Sequence, residues 1–187
     1  SLRIAVGDNG DAISIANYFN DGSYSRPTDT FKVEKFLLSD GTVIDSSYIY
    51  EQVRTITGSK SNDTLYGHDD QENILRGLEG DDRIYGRVGN DLLYGDSGND
   101  ILEGGNGNDT LIGGQGSDTL RGGYGDDLYI FNKGDGVDYI EDYEGNDTIQ
   151  FGEGITLKDL KFFRYDSSGK SLRIAVGDNG DAISIAN

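Results

Sequence analysis

From Gly77 to Ile130 the chain reads GLEGDDRIY, GRVGNDLLY, GDSGNDILE, GGNGNDTLI, GGQGSDTLR and GGYGDDLYI, six nine-residue units without a gap. Aspartate recurs at Asp82, Asp91, Asp100, Asp109, Asp118 and Asp127, and two residues after each stands Ile84, Leu93, Leu102, Leu111, Leu120 or Tyr129. A fixed period of this kind is the mark of a repeat architecture and constrains the fold more than any local propensity. Each unit has a glycine-rich half that must turn and a short half, centred on the large side chain, that can extend. A turn in every nine-residue unit folds the chain back on itself twice in two units. The expectation is all-β: a right-handed parallel β-roll, two short strands per coil, with the large side chains making a narrow core. A disordered Gly/Asp linker would not hold an apolar residue in phase over six units.

The period frays at both ends. GSKSNDTLY, residues 58–66, fits with Asp63, whereas GHDDQENILR has ten residues and puts Asn73 where aspartate belongs. After Ile130 two extra residues precede KGDGVDYIE with Asp138, and DYEGNDTIQ with Asp147 closes the series. The flanks have another texture. FKVEKFLLSDGTVI, residues 31–44, reads as a hairpin across an Asp-Gly turn, and residues 45–53 as a short helix capped by Asp45 or Ser46. LKFFRY, SLRIAV and DAISIAN, separated by the turns DSSGK and GDNG, read as a three-stranded antiparallel meander. The organisation expected is a flanking segment over 1–57, the roll over 58–150 and the first part of a following cap over 151–187.

Placement of the acids carries the chemistry. Stacked two units apart, Asp63, Asp82, Asp100, Asp118 and Asp138 form one ladder, and Asn73, Asp91, Asp109, Asp127 and Asp147 the other. Rungs sit about 4.8 Å apart, the strand spacing. Unit charges near 4 Å repel by ~4 kcal/mol at an effective dielectric of about 20. A divalent cation between the rungs reverses the sign. The donors are all oxygen, from aspartates and from carbonyls that glycine leaves accessible, so Ca²⁺ is favoured over Zn²⁺ or Cu²⁺. Mg²⁺, which demands tight octahedral geometry and holds its water, is the weaker candidate. With hydrophobic residues at only 34% and a thin core, folding is expected to be linked to metal binding.

The formal net charge of −18 argues against a nucleic-acid or anionic-membrane surface, which wants lysine and arginine in patches. With no cysteine, disulfides and thiolate metal sites are excluded. No stretch approaches the ~18 apolar residues of a membrane span, and no basic-then-apolar export signal is read.

GGNGNDTLI and GGQGSDTLR resemble the nonapeptide GGxGxDxUx of the RTX (repeats in toxin) family, and the likeness covers residues 58–150. The segment from GEGITLKDLKFF through ISIANYF to FLLSDGTVI is similar to the capping segment that follows RTX blocks in haemolysin-type proteins. The resemblance implies about four to seven Ca²⁺ ions between loops of neighbouring coils. One loop would offer its second and fourth carbonyls and its aspartate, and the loop one coil on its first, third and aspartate. Carried over, one ion would sit among Gly105, Gly107, Asp109, Gly122, Tyr124 and Asp127. Others would pair Asp82 with Asp100, Asp91 with Asp109, and Asp100 with Asp118. The remaining loop positions so implied are Gly77, Leu78 and Gly80; Arg87 and Gly89; Gly95, Asp96, Ser97 and Gly98; Gly104 and Asn106; Gly113, Gly114, Gln115 and Gly116; and Gly123 and Gly125, with Asp63, Asp138 and Asp147 at the ends. Leu78, Arg87 and Asp96 replace the second glycine of three loops and are tolerable if their backbones still turn. Asn73 and the extra residue around His68 should weaken one site, and Asp142-Tyr143-Glu144 departs from the glycine pair near the end.

No catalytic machinery is read. GDSG at 95–98 is explained by its phase in the repeat, and His68 is the single histidine, which rules out an HExxH zinc centre. The twelve tyrosines are read as packing on the roll's faces and caps rather than as a carbohydrate platform. Residues 1–17 recur unchanged as 171–187, an offset of 170. That points to a tandem repeat or an engineered join, with head-to-tail self-association through split caps. The resemblance implies a module of a large, secreted or cell-surface bacterial protein that leaves through type I secretion machinery and folds on extracellular calcium, toxin-like in the first instance. The alternatives are a spacer or ligand-binding unit of a giant adhesin, or the non-catalytic tail of a protease, lipase or epimerase.

Overall fold

The structure, a computed structural model, describes residues 2–6, 11–15, 35–37, 41–45, 54–69, 72–164 and 171–186. The chain divides into two units, Ser1–Val53 and Arg54–Asn187. In the first, β1 (Leu2–Val6) and β2 (Asp11–Ile15) form an antiparallel hairpin that pairs Leu2 with Ile15 and Val6 with Asp11. β3 (Lys35–Leu37) and β4 (Val43–Asp45) form a second, pairing Phe36 with Ile44, and Gly41 at φ 89° supplies a left-handed residue between them. Asp45 closes β4; the rest of the helix expected over 45–53 lies outside the described residues.

In the second unit the nonapeptides become a parallel β-solenoid of two facing rows. One row holds β5 (Thr55–Thr57), β7 (Ile74–Glu79), β9 (Leu92–Ser97), β11 (Thr110–Gln115), β13 (Leu128–Phe131) and β15 (Thr148–Phe151). The other holds β6 (Thr64–Tyr66), β8 (Arg83–Val88), β10 (Ile101–Asn106), β12 (Thr119–Tyr124) and β14 (Val137–Glu141). Register is set by the period: Leu102 pairs with Ile84 below and Leu120 above, and Leu111 with Leu93 and Tyr129. Ahead of Gly58, Thr55–Thr57 pairs with β7 and is the outermost described strand of its row.

The large residues of the repeat fill the space between the rows. Leu75, Ile84, Leu93, Leu102 and Leu111 are fully buried, and Leu120, Tyr129 and Ile140 nearly so. Each such aliphatic side chain contributes about 1.5–3 kcal/mol. The glycine half is not all turn. Strands β7 to β12 run six residues, through the third loop position, because Gly105 still pairs with Gly123 and Asn106 with Tyr124. The bend comes from positive φ at the second loop position, including the non-glycines Leu78 (87°), Arg87 (82°) and Asp96 (72°). Their backbones turn as glycine does, at the strain that an L side chain carries there.

The expected meander is present as β16 (Leu160–Arg164), β17 (Leu172–Val176) and β18 (Asp181–Ala186), antiparallel throughout. A three-residue 3₁₀ turn, Leu157–Asp159, leads into it. The meander is continuous with the roll: β18 pairs in parallel with β14, so eight strands make one sheet. In that pairing Asp138 meets Ile183. Ile183 is fully buried beside Ile140 and Val176, so this aspartate ladder ends on an apolar rung.

Candidate metal centre

Each aspartate of the six gapless units sits just before its strand, and Asp138 is the second residue of β14. Asp82, Asp91, Asp100, Asp109, Asp118, Asp127 and Asp138 are all 1–2% exposed. The two ladders have the membership read from the sequence. In the first, Oδ1 of Asp82, Asp100, Asp118 and Asp138 accepts the backbone N–H of Asp63, Asp82, Asp100 and Asp118, at 2.7, 2.7, 2.8 and 3.1 Å. In the second, Oδ1 of Asp91, Asp109, Asp127 and Asp147 accepts the N–H of Asn73, Asp91, Asp109 and Asp127, at 2.7, 2.7, 2.7 and 3.0 Å.

The other oxygen is different. Oδ2 of Asp82, Asp91, Asp100, Asp109, Asp118 and Asp127 is buried and has no hydrogen-bond partner. It lies in a space left by the first glycine of its own loop. A Cβ on Gly104 would strike Asp109 Oδ2 and stand 2.7 Å from the Gly122 carbonyl oxygen, one coil on. Gly86 is related in the same way to Asp91 Oδ2 and the Gly104 carbonyl, and Gly77 and Gly95 to Asp82 with Gly95 and Asp100 with Gly113. At Gly113 the nearest atoms all belong to Asp118. An aspartate and the first carbonyl of the following coil thus converge on one point.

Other loop carbonyls stand close beneath the second and fourth loop positions one coil on. Cβ atoms on Gly123 and Gly125 would strike the carbonyls of Gly105 and Gly107, and those on Gly114 and Gly116 the carbonyls of Asp96 and Gly98. Gly80 and Arg87 carbonyls stand likewise under Gly98 and Gly105, and that of Gly89 under Gly107. At the third position the side chains of Ser97, Asn106, Gln115 and Tyr124 are exposed, while their carbonyls accept N–H bonds from Gly80, Gly89, Gly98 and Gly107 at 2.8–3.0 Å. A carbonyl with one such bond retains a second lone pair. The side chains at the second position are engaged elsewhere: Asp96 Oδ2 lies 2.9 Å from Arg76 Nε, and the Arg87 guanidinium lies 5.1 Å from the centre of the Tyr66 ring. Leu78, at the same position, contributes backbone alone.

Burial pushes the Asp109 and Asp118 carboxyls up to about 7 and that of Asp138 up to about 8, with neighbouring carboxylates adding to the rise and backbone N–H donors opposing it. Asp100 and Asp127 rise to about 6 for the same leading reason. Buried carboxylates with an unpartnered oxygen and like charges for neighbours are held by a bound cation or by a proton. An all-oxygen donor set of aspartate and carbonyl suits Ca²⁺.

The ends depart from this arrangement. Asp63 Oδ2 accepts from Ser59 N (2.6 Å) and Oγ (2.8 Å). Asn73 donates from Nδ2 to Asp91 Oδ1 (2.8 Å) and to the His68 carbonyl (3.0 Å), so a neutral amide occupies that rung. Asp147 is exposed. Three features were missed from the sequence. At the fifth position, Asn62, Asp81 and Asn99 accept the N–H of Asp81, Asn99 and Ser117, and Asn90, Asn108 and Asp126 those of Asn108, Asp126 and Asn146, at 2.8–3.0 Å. The signal was there in the run of short acceptor-bearing residues before each aspartate. Asp135 and Asp181 are buried near the end of the first ladder, where Asp181 Oδ2 accepts from Gly134 N at 2.7 Å. Asp142 joins Asp127 and Asp147, with one oxygen of each within 4.8 Å of the others.

Comparison with known families agrees with this geometry. The RTX calcium-binding nonapeptide repeat matches in four copies, at residues 55–72, 69–102, 103–137 and 134–155. The haemolysin-type calcium binding protein related domain matches residues 2–48. No curated protein matches the chain. The repeat matches span more than half of the sequence and coincide with the solenoid whose carboxylate ladders they describe, so the chain belongs to the RTX family of calcium-binding nonapeptide repeat proteins.

Proposed function

We propose that the ladders hold several calcium ions, about four to seven, between loops one coil apart, and that the chain is a module that folds on meeting extracellular calcium. The ligands would be the aspartates from Asp82 to Asp127 with the loop carbonyls converging on them, and Asp63, Asp138 and Asp147 would serve the end loops. The carrying observation is the row of buried Oδ2 atoms without partners on both ladders. A chain with that much buried like charge stays open where calcium is scarce and closes where it is plentiful. This suits a segment of a secreted or cell-surface bacterial protein exported unfolded through a type I machinery. Its contribution would be folding and stability, with no catalytic step assigned to it.

The test is far-ultraviolet circular dichroism of the chain in millimolar calcium and in excess EDTA. Coil in EDTA and β structure in calcium is the expected pair, with an affinity in the 10⁻⁴–10⁻³ M range of extracellular modules. A β spectrum indifferent to EDTA overturns the proposal.

A second reading, a tandem unit of a repetitive adhesin, is favoured by the recurrence of residues 1–17 as 171–187 and by the identical register of the two hairpins they form. Successive units would then meet head to tail through their caps. Sedimentation with calcium at rising concentration tests it: association supports this arrangement, and a chain that stays monomeric removes it.

A further inference from the structure

Asp142 holds the place that glycine holds in each of the six gapless units. Its loop lies one coil beyond that of Asp127, because Tyr124 bridges to Glu144 and Gly123 N donates to Asp142 Oδ1 at 3.0 Å. A second N–H, from Tyr143, reaches the same oxygen at 2.8 Å. Asp142 Oδ2 accepts from the Tyr129 hydroxyl at 2.5 Å, and that hydroxyl accepts from Gly122 N at 2.7 Å. Tyr129 is the one tyrosine at the central core position of the six units, and its hydroxyl fixes the carboxylate of the next coil.

One carboxylate oxygen from each of Asp127, Asp142 and Asp147 lies within 4.8 Å of the other two. Asp127 is 1% exposed and its Oδ2 has no partner. That oxygen and the Tyr129 hydroxyl both crowd the Cβ position of Gly122, so the unpartnered atom looks into the space that Tyr129 and Asp142 enclose. The side-chain charges bearing most on it are carboxylates, those of Asp142, Asp147 and Asp126. Asp142 is half-buried and Asp147 exposed, which leaves a way in from solvent.

We propose that Asp142 supplies a third carboxylate to the last gap of this ladder, so that Asp127, Asp142 and Asp147 form a divalent-cation site of a different kind from the two-aspartate gaps of the interior. The inference rests on the reading of the ladders as calcium sites. An interior aspartate is shared between the gaps on its two sides, whereas among the described residues no strand pairs beyond β15, so Asp147 serves one gap. Affinity in oxygen sites rises with ligand charge and with rigidity, and here the third carboxylate is held beforehand by two N–H groups and a hydroxyl. This gap is therefore the tightest on its ladder and fills first.

The experiment is calcium titration of the whole chain by calorimetry, with Tb³⁺ emission sensitised by tyrosine as a second readout. Asp142→Asn keeps an acceptor for Gly123 and removes the charge. The expected result is that the tightest binding event weakens at least tenfold and its Tb³⁺ emission drops, while the later events and the calcium-induced β spectrum persist. Asp142→Gly restores the residue of the interior loops and should give the same tenfold loss; it decides the matter should the asparagine variant not fold. A tightest affinity within twofold of the parent in the folded variant overturns the proposal. Failure of the underlying reading looks different, because the parent chain would then show neither binding nor a spectral response.

Discussion

Residues 2–15 and 172–185 carry the same sequence and make the same hairpin. Leu2 pairs with Ile15 as Leu172 does with Ile185, and Val6 with Asp11 as Val176 with Asp181. Their surroundings differ. Among the described residues β2 belongs to a two-stranded sheet, while β18 joins an eight-stranded one by laying its outer edge along β14, five residues in parallel register. The local turn and the alternation of apolar residues are enough for the hairpin. Its incorporation depends on a neighbouring edge, and that edge exists only when the last coil is wound. The docked copy is therefore a reporter of the roll, and the other copy is an internal reference of the same composition.

Withdrawing calcium should separate the two most strongly. By hydrogen exchange, the amides of 181–186 are expected to be protected in calcium at least a hundredfold more than those of 11–15, and to lose that excess in EDTA. Retention of the excess without calcium would mean that β18 docks on an edge formed independently of the ladders.

Acidity should act next, and in the opposite sense to ordinary acid denaturation. Asp109 and Asp118 are raised from 3.8 to about 7 and Asp138 to about 8, so the calcium-free roll binds more protons than the unfolded chain between these limits. A raised carboxyl contributes nothing unfavourable below its unfolded value and costs stability as pH climbs through its folded value. For one carboxyl moved from 3.8 to about 7 the cost is about 4 kcal/mol. In EDTA, β structure and protection of 181–186 should grow as pH falls from 8 to 5, and in calcium the binding midpoint should rise over the same range because protons compete for the same oxygens. Calcium-free β content that falls on acidification reverses the sign and rejects the assignment.

Ile183→Ala tests docking directly. Ile183 is fully buried in the joint core, and its truncation should cost about 2–5 kcal/mol. The same change at Ile13, the equivalent residue of the other hairpin, is the comparison. Equal costs would show that the hairpins are packed alike and that pairing with β14 adds little.

What could be read beforehand follows from what the period encodes. The positions two residues past each aspartate and the membership of both ladders needed nothing beyond counting, because stacking by two units is forced once each unit turns. Docking of β18 on β14 has no period to betray it; it depends on edge complementarity between segments 45 residues apart, such as Asp138 with Ile183. The bond from Tyr129 to Asp142 escaped for a related reason. A tyrosine at a core position reads as apolar filling, and its hydroxyl acquires a role only when the next coil brings a carboxylate within reach. Thr55–Thr57 precedes the first glycine and joins the roll by pairing with β7 and by packing Ile56 against the core, outside the phase that glycine and aspartate mark.

The smallest effect belongs to the far end of the roll. Leu78 stands at φ 87° where later loops have Gly105, Gly114 and Gly123 at 95–113°. A left-handed L residue costs about 1–2 kcal/mol, and glycine gives back roughly 0.5–1 through the entropy of the unfolded chain, so Leu78→Gly should stabilise by about 0.5–1 kcal/mol. Its strand β7 pairs with β5 and β9, in the sheet that the docked hairpin does not enter. Changes at well-separated sites add, and protection of 181–186 relative to 11–15 should therefore stay as it was while the thermal midpoint in calcium rises slightly. A shift in the hairpin ratio as large as that from Ile183→Ala would instead mean that strain at one end of the coil is felt at the other, and that the roll winds as a single cooperative element rather than coil by coil.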